Sequence, residues 1–273
     1  MPIPLRRITR RLWYFPADAL EWLLGRRKPL HPPRGKNFAG AGDFQRIGEE
    51  FMRYFVELAG LRPDERVLDV GCGIGRMAVP LTCYLSSRGG YEGFDVVREG
   101  IDWCRKEITR SYPNFHFQHA DLWNREYNPR GKLRASAYRF PYPDDSFDFA
   151  LVVSVFTHML PPDVENYLAQ ITRVLKPGAR CLSTFFLFDE EARRCIREGK
   201  SILDFVHHFG TYSSTHARRP EAAVCYEEAF ILDLHRKCGL EVRQPVYHGA
   251  WSGRADYLSS QDIIIASAPD VSL

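Results

Sequence analysis

No stretch of the 273 residues approaches the roughly 18 consecutive apolar side chains that a membrane-spanning helix requires. An integral helical membrane protein is therefore not expected, while peripheral attachment stays open. The seven cysteines, at 72, 83, 104, 181, 195, 225 and 238, contain no CxxC pair and are odd in number, so neither a disulfide framework nor a zinc site is expected. Most read as small buried apolar residues in a reducing cytosol, Cys72 included, whose place in a tight turn is explained by size rather than reactivity. No internal repeat is present. What remains is an ordinary globular composition, 45% hydrophobic and 26% charged, long enough for one large α/β domain with appendages.

Acidic residues are scarce at one end. Residues 1–36 hold nine arginines and lysines against Asp18 and Glu21, a net +7, which leaves −4 for the rest of a chain whose net charge is +3. A mildly acidic body argues against a nucleic-acid channel through it. The basic arm interleaves its charges with Leu5, Ile8, Leu12, Trp13, Tyr14, Phe15, Leu20, Trp22, Leu23 and Leu24, so it is amphipathic. Residues 1–28 are accordingly expected on an anionic membrane surface, the alternative being an arm packed on its own domain. Thr9-Arg10-Arg11-Leu12 faintly resembles a twin-arginine export signal, but Pro16, Asp18 and Glu21 interrupt the apolar stretch such a signal needs, and the segment is read as retained. Pro29, Pro32, Pro33 and Gly35 then mark a linker into the body.

From residue 37 onward strands and helices alternate. Asp43 can cap a helix with Phe44, Ile47, Phe51, Tyr54, Phe55 and Leu58 on its apolar face and Gly60 as its stop. Strands are expected at Val67–Val70, Gly90–Asp95, Phe115–His119, Phe147–Val155 and Arg180–Phe186. Helices are expected at about Arg76–Leu85, through Ile101, Cys104 and Ile108, and after Pro162 through Val164, Leu168, Ile171 and Leu175. A helix near Tyr226–Cys238 and strands at Glu241–Tyr247 and Asp262–Ser267 complete a doubly wound α/β fold with a mostly parallel seven-stranded sheet. Residues 187–225 break the rhythm and read as an inserted substrate lid above the carboxyl ends of the strands, where ligands of open parallel sheets bind.

Val67-Leu68-Asp69-Val70-Gly71-Cys72-Gly73-Ile74-Gly75-Arg76 spells a strand, a tight glycine turn and a helix start, which lets a ligand press against main chain. Asp95, at the end of the next strand, is placed to accept hydrogen bonds from both hydroxyls of a ribose. A dinucleotide fingerprint is not met, because the third glycine comes one residue early and Arg76 stands in its place. A carboxylate at Asp69 would also repel a pyrophosphate, whereas it suits a ligand carrying an ammonium and a sulfonium.

These residues resemble the first motif of the class I S-adenosylmethionine-dependent methyltransferases, small-molecule type, with Asp95 matching the ribose-binding acid of that family. Asp121-Leu122 resembles its adenine-edge pair, the run from Phe140 to Asp148 its approach to the fourth strand, and Leu175-Lys176-Pro177-Gly178 its turn before the fifth. The resemblance implies a methyltransferase domain over 37–273 with S-adenosylmethionine as cofactor. Gly71, Gly73 and Gly75 would pass under the methionine part, Asp69 would order the turn and the water around its amino group, and Asp121 would bond the adenine amino group. Cys72, Val96, Leu122 and Ser154 complete the expected cofactor contacts.

The fourth strand ends Val153-Ser154-Val155-Phe156-Thr157-His158, unlike the Asn-Pro-Pro-Tyr type end of methylases acting on bases and glutamine, so amino-group methylation is disfavoured. His158 falls near the expected methyl group and could take a proton from a hydroxyl, or could instead close the strand end structurally. His207, His208, His216, Tyr247, His248, Trp251, Arg254 and Tyr257 are substrate-side candidates by position alone, and no metal is expected, since the histidines have no ligand spacing. The reading is methyl transfer, most readily to oxygen, on a small or lipid- or glycan-linked acceptor, in a cytoplasmic protein peripheral to membrane. An RNA or protein methyltransferase gripping through the basic arm, and a nicotinamide oxidoreductase, are the alternatives.

Overall fold

The computed structural model describes residues 3–270 apart from 27, 39 and 41, with residues 3–8 as backbone only. The membrane expectation for 1–28 therefore falls partly outside the described residues. Two compact units are present, residues 1–132 and residues 133–273.

The first unit begins with α1 (Ile3–Leu23) and α2 (Phe44–Arg53). Asp43 caps α2, its carboxylate accepting from the Arg46 N–H at 2.7 Å. Phe44 and Phe51 are buried and the helix runs on as a wider π-type turn over Tyr54–Leu58. Strands β1 (Arg66–Val70), β2 (Gly90–Asp95) and β3 (Phe115–His119) follow, joined by α3 (Ala78–Leu81) and α4 (Arg98–Cys104). They pair in parallel, Val70 opposite Phe94 and Asp95 opposite His119, so the segments leaving all three strands emerge on one side. The core is apolar on both faces, with Val67, Leu68, Phe94, Ile101, Ile108 and Phe115 among its buried members.

The expected helix from Arg76 to Leu85 contracts to the four residues of α3. Pro80 sits within it and has no N–H to give, so the flanking residues make separate turns. The second helix does reach Ile108, by continuing from α4 into a π-type turn over Arg105–Thr109.

In the second unit β4 (Phe147–Val152) and β5 (Leu175–Phe185) are parallel and flank α5 (Pro161–Val174) in the chain. β4 ends three residues before the expected Val155. Ser154 turns into left-handed backbone (φ 59°) and gives its N–H to Thr184 Oγ1 at 2.8 Å, and Phe156–His158 form a short 3₁₀ turn. Leu175 opens β5 rather than closing α5, because Pro177 disfavours helical backbone just before it.

After β5 come β6 (Leu187–Phe188), α6 (Glu190–Arg197), β7 (His207–His208), β8 (Tyr212–Ser214) and β9 (Val224–Glu227), then α7 (Glu228–Lys237), β10 (Glu241–Tyr247) and β11 (Asp262–Ser267). The order β10–β11–β5–β4–β1–β2–β3 makes the seven-stranded, mostly parallel sheet expected from sequence, with β11 antiparallel to both its neighbours, β5 and β10. The residues between β5 and α7 have their own four-stranded sheet, β6–β9–β8–β7, beside an apolar cluster that includes Phe186, Phe188, Phe205, Cys225 and Trp251. Its strands of two to four residues carry too little periodicity to be read in advance.

Candidate functional site

The glycine turn leaves β1 with Gly71, Gly73 and Gly75 all at positive φ. The N–H groups of Gly71 and Cys72 both donate to the Phe94 carbonyl, at 2.9 and 3.0 Å, which fastens the turn to the last residues of β2. At Gly75 the main chain is packed close: a Cβ there would come within 2.8 Å of Ile108 Cδ1 and 3.1 Å of Cys104 Sγ.

Asp95 joins the two loops. Its Oδ2 accepts from the Gly73 N–H at 2.9 Å and its Oδ1 from the Val97 N–H at 2.7 Å, so one carboxylate fixes the turn after β1 and its own loop after β2. The Val96 carbonyl is held by His119: Arg98 donates to Nδ1 at 3.1 Å, which leaves the proton on Nε2, 3.2 Å from that carbonyl. Burial lowers the His119 pKa, in keeping with a neutral ring.

Asp69 is fully buried and accepts a hydrogen bond from the Tyr91 hydroxyl. Burial pushes its pKa up to about 7, against the lowering effect of that bond, while the charge of Asp95 adds to the rise. Cys72 is a buried thiol with its pKa raised well above the ordinary value by burial, which leaves it unreactive. A Cβ on Gly93 would lie 2.9 Å from Cys72 Cβ, so the space is filled by the small side chain.

Asp121 and Leu122 follow β3 in a loop held from within. The Asp121 carbonyl accepts from the Lys132 N–H at 2.9 Å, and Asn128 Nδ2 donates to the Leu122 carbonyl at 3.0 Å. Leu122 is buried. Asp69, the three glycines, Cys72, Asp95, Val96, Asp121 and Leu122 therefore all lie in or beside the turns on one side of β1, β2 and β3.

Two further residues belong to this side of the unit and are not evident from sequence. Arg76 closes the glycine turn with a guanidinium whose Nε and Nη2 are buried without a hydrogen-bond partner. Burial lowers its pKa, as expected for a cation withdrawn from water without a counter-charge. Gly100, in the first turn of α4, lies against the turn so closely that a Cβ would meet the Gly73 carbonyl oxygen at 2.4 Å. The donor set suits a zwitterionic ligand with a sugar: an unsatisfied guanidinium for a carboxylate, a buried carboxylate for a cation and Asp95 for hydroxyls.

In the second unit Ser154 gives its hydroxyl to Gln261 Oε1 at 3.1 Å. His158 places Nδ1 3.0 Å from the Glu221 carbonyl. A carbonyl only accepts, so Nδ1 carries the proton and the lone pair of the neutral ring is on Nε2. The carbonyl of the next residue, Met159, accepts from the Tyr226 hydroxyl at 2.5 Å.

The other candidates separate. Trp251 is core, its Nε1 donating to Asp262 Oδ2 at 2.7 Å, and Arg254 is buried on Asp189 at 2.7 Å. His248 lies 2.7 Å from Glu228 and 3.5 Å from Asp189, its pKa raised chiefly by the Glu228 hydrogen bond. These three have ligand atoms within 4.8 Å of one another, but Arg254 already supplies Asp189 with positive charge. His208 Nδ1 pairs with Ser213 Oγ at 2.8 Å, and His216 Nδ1 accepts from the Arg218 N–H at 3.2 Å. His207 lies in β7 and Tyr247 ends β10, both half-buried, while Tyr257 is exposed.

Comparison with known proteins agrees with this geometry. Residues 68–183 match the family model described as a methyltransferase domain. The chain is 32% identical over 173 residues to 27-O-demethylrifamycin SV methyltransferase of Amycolatopsis mediterranei, covering 59% of this chain and 56% of that one. It is 34% identical over 129 residues to phthiotriol/phenolphthiotriol dimycocerosates methyltransferase 1 of Mycobacterium ulcerans, covering 47% and 39%. The chain thus spans about half, or less, of the length of these curated relatives. A solved S-adenosylmethionine-dependent methyltransferase of Methanosarcina mazei shares the fold with a TM-score of 0.54 at 21% identity, over 79% of this chain and 97% of that one. With domain match and fold in agreement, residues 68–183 are a methyltransferase domain of the S-adenosylmethionine-dependent class I type.

Proposed function

We propose that the protein transfers a methyl group from S-adenosylmethionine to an oxygen of a small or lipid-linked acceptor, as a cytosolic enzyme peripheral to an anionic membrane through residues 1–28. The observation that carries the cofactor half is the Asp95 carboxylate, bonded to Gly73 on one side and Val97 on the other, beside an Arg76 guanidinium with unsatisfied nitrogens. When bound, the cofactor supplies an electrophilic methyl on a sulfonium, displaced directly by the acceptor. Asp95 holds the ribose, Asp121 and Leu122 the adenine, and the glycine turn the methionine part. Arg76 takes the carboxylate and Asp69 faces the positive charge. Val96, Cys72 and Ser154 complete the wall.

His158 is the proposed base: as the new C–O bond forms and the C–S bond breaks, the acceptor proton passes to Nε2. The Nδ1–H bond to the Glu221 carbonyl supports that role by fixing the tautomer. Residues 187–225 act as the lid that excludes water while the oxygen is held at attack distance, an effect that can be worth roughly 7 to 11 kcal/mol. Oxygen is favoured because the fourth strand lacks an Asn-Pro-Pro-Tyr end, and because the Amycolatopsis relative is by name a methyltransferase for a demethylated oxygen.

The test is a screen of the full chain with methyl-labelled cofactor against glycans, lipids, quinones and RNA. Label on an acceptor oxygen supports the reading, and label on RNA alone overturns it in favour of the alternative. With an acceptor in hand, His158→Ala should cut turnover by about 10² to 10⁴ while cofactor binding stays intact. Turnover at the wild-type rate would remove His158 from the mechanism.

A further inference from the structure

α1 is amphipathic with its polarity reversed. At 3.6 residues per turn, Leu12, Phe15, Ala19, Trp22 and Leu23 share one side with Trp13 and Leu20 at its edge, and Arg10, Tyr14, Asp18 and Glu21 share the other. A surface helix ordinarily turns its apolar stripe to the body and its charges to water. Here the polar side is the attached one. The Asp18 carboxylate accepts from the backbone N–H groups of Arg34 and Gly35 at 2.9 and 3.0 Å. Arg34 pairs with Glu21, Arg10 Nε donates to the Arg34 carbonyl at 3.0 Å, and Arg11 pairs with Glu99 in the first turn of α4. The fit is close, since a Cβ on Gly35 would stand 3.1 Å from the Arg11 Cα.

The apolar side is left outside. Leu12 is 71% exposed, Trp13 80%, Phe15 70%, Trp22 69% and Leu23 72%. Large apolar side chains gathered on one face of one helix mark a surface that something covers. No helix among the described residues is long and apolar enough to cross a membrane, so this face can lie on a bilayer but not span it.

We infer that α1 docks flat on an anionic membrane, apolar face inward, with its polar side serving as the joint to residues 34, 35 and 99. Charge selects this occupant. Residues 1–36 carry a net +7, and exposed Arg26 and Lys28 continue the positive charge past the end of the helix. Negative headgroups complement that charge, whereas a second copy of the chain would set +7 against +7. Two tryptophans and a phenylalanine on the face suit the headgroup layer.

The two sequence-level alternatives, membrane contact and packing on the domain, are thus served by opposite sides of one helix. Because the joint is several polar contacts rather than a leash, docking holds residues 1–132 at a fixed attitude to the bilayer. The inference rests on the membrane-peripheral part of the proposed function but not on methyl transfer, and it is tested without turnover so that either can fail alone.

The full chain is floated with vesicles of phosphatidylglycerol and phosphatidylcholine, and with phosphatidylcholine alone. The comparison is a Leu12→Ser, Trp22→Ser, Leu23→Ser variant, whose changes are at exposed positions and whose fold is checked by S-adenosylhomocysteine binding. The wild type should float with the anionic vesicles, and the variant should partition at least tenfold more weakly with unchanged S-adenosylhomocysteine affinity. In vesicles with brominated lipid tails, Trp13→Phe and Trp22→Phe should each remove part of the quenched tryptophan fluorescence. Equal flotation of wild type and variant overturns the inference, as does failure of the wild type to bind. A wild-type dimer that the variant converts to monomer, without vesicle binding, overturns it in favour of a second copy.

Discussion

The Tyr91 hydroxyl donates to the Asp69 carboxylate with both side chains buried, two residues before the first glycine of the turn. Burial raises the Asp69 pKa from 3.8 to about 7, so near neutrality the group is poised between its two forms. A cation placed beside it favours the ionised form and lowers that pKa. S-adenosylmethionine binding should therefore tighten as pH rises from about 5 to about 7 and release up to one proton. Calorimetry in buffers of different ionisation enthalpy reads this directly. Proton uptake on binding, or enthalpies that do not depend on the buffer, would contradict the role given to Asp69.

Arg76 offers a test of which part of the cofactor faces it. Its Nε and Nη2 are buried without partners, and a carboxylate would satisfy both in one bidentate contact. Arg76→Met should weaken S-adenosylhomocysteine binding about tenfold or more, on the scale of a hydrogen bond to a charged group. A ligand without the carboxylate, such as decarboxylated S-adenosylmethionine, should bind wild type and variant almost equally. Equal losses for both ligands would place Arg76 in the fold rather than at the carboxylate.

Asp262 ties its own strand to Leu187 and to the turn at 249–251, accepting from the N–H groups of Leu187 and Gly249, each at 2.6 Å, and from Trp251 Nε1 at 2.7 Å. Removing the carboxylate leaves three buried donors unsatisfied, at about 1 to 3 kcal/mol each, so Asp262→Ala should lose roughly 3 kcal/mol or more in urea unfolding. Burial raises the Asp262 pKa from 3.8 to about 7. A raised folded pKa means that its contribution is full below 3.8 and is lost as pH rises through about 7. Asp262→Asn should lack that decline, and a variant whose stability follows pH as the wild type does would refute the assignment.

Much of the fold is legible in the chain because its strands are short apolar runs bounded by turn residues, and β2, β3, β10 and β11 begin and end where those runs do. Legibility fails where one residue overrides a local pattern, as Pro80 does in α3 and Ser154 at the end of β4. That the turns after β1, β2 and β3 lie side by side can be anticipated because they follow consecutive parallel strands, so spacing along the chain translates into proximity. Gly100 and Arg76 are different. The need for glycine at 100 comes from the Gly73 carbonyl across a loop, and the unsatisfied guanidinium is a property of burial that no local pattern records. For α1 the sequence shows an amphipathic segment but not which side is attached, because that depends on Arg34, Gly35 and Glu99.

The central claim is that the turns after β1, β2 and β3 hold S-adenosylmethionine through Asp95. The most direct measurement is calorimetric titration of the full chain with S-adenosylhomocysteine and with NAD, for the wild type and for Asp95→Ala. The account predicts saturable S-adenosylhomocysteine binding with one site, no NAD binding, and a loss of about tenfold or more in the variant, since hydrogen bonds to a charged group contribute roughly 1.5 to 3 kcal/mol. Tight NAD binding with none of S-adenosylhomocysteine, or an Asp95→Ala chain that binds S-adenosylhomocysteine as the wild type does, would contradict it.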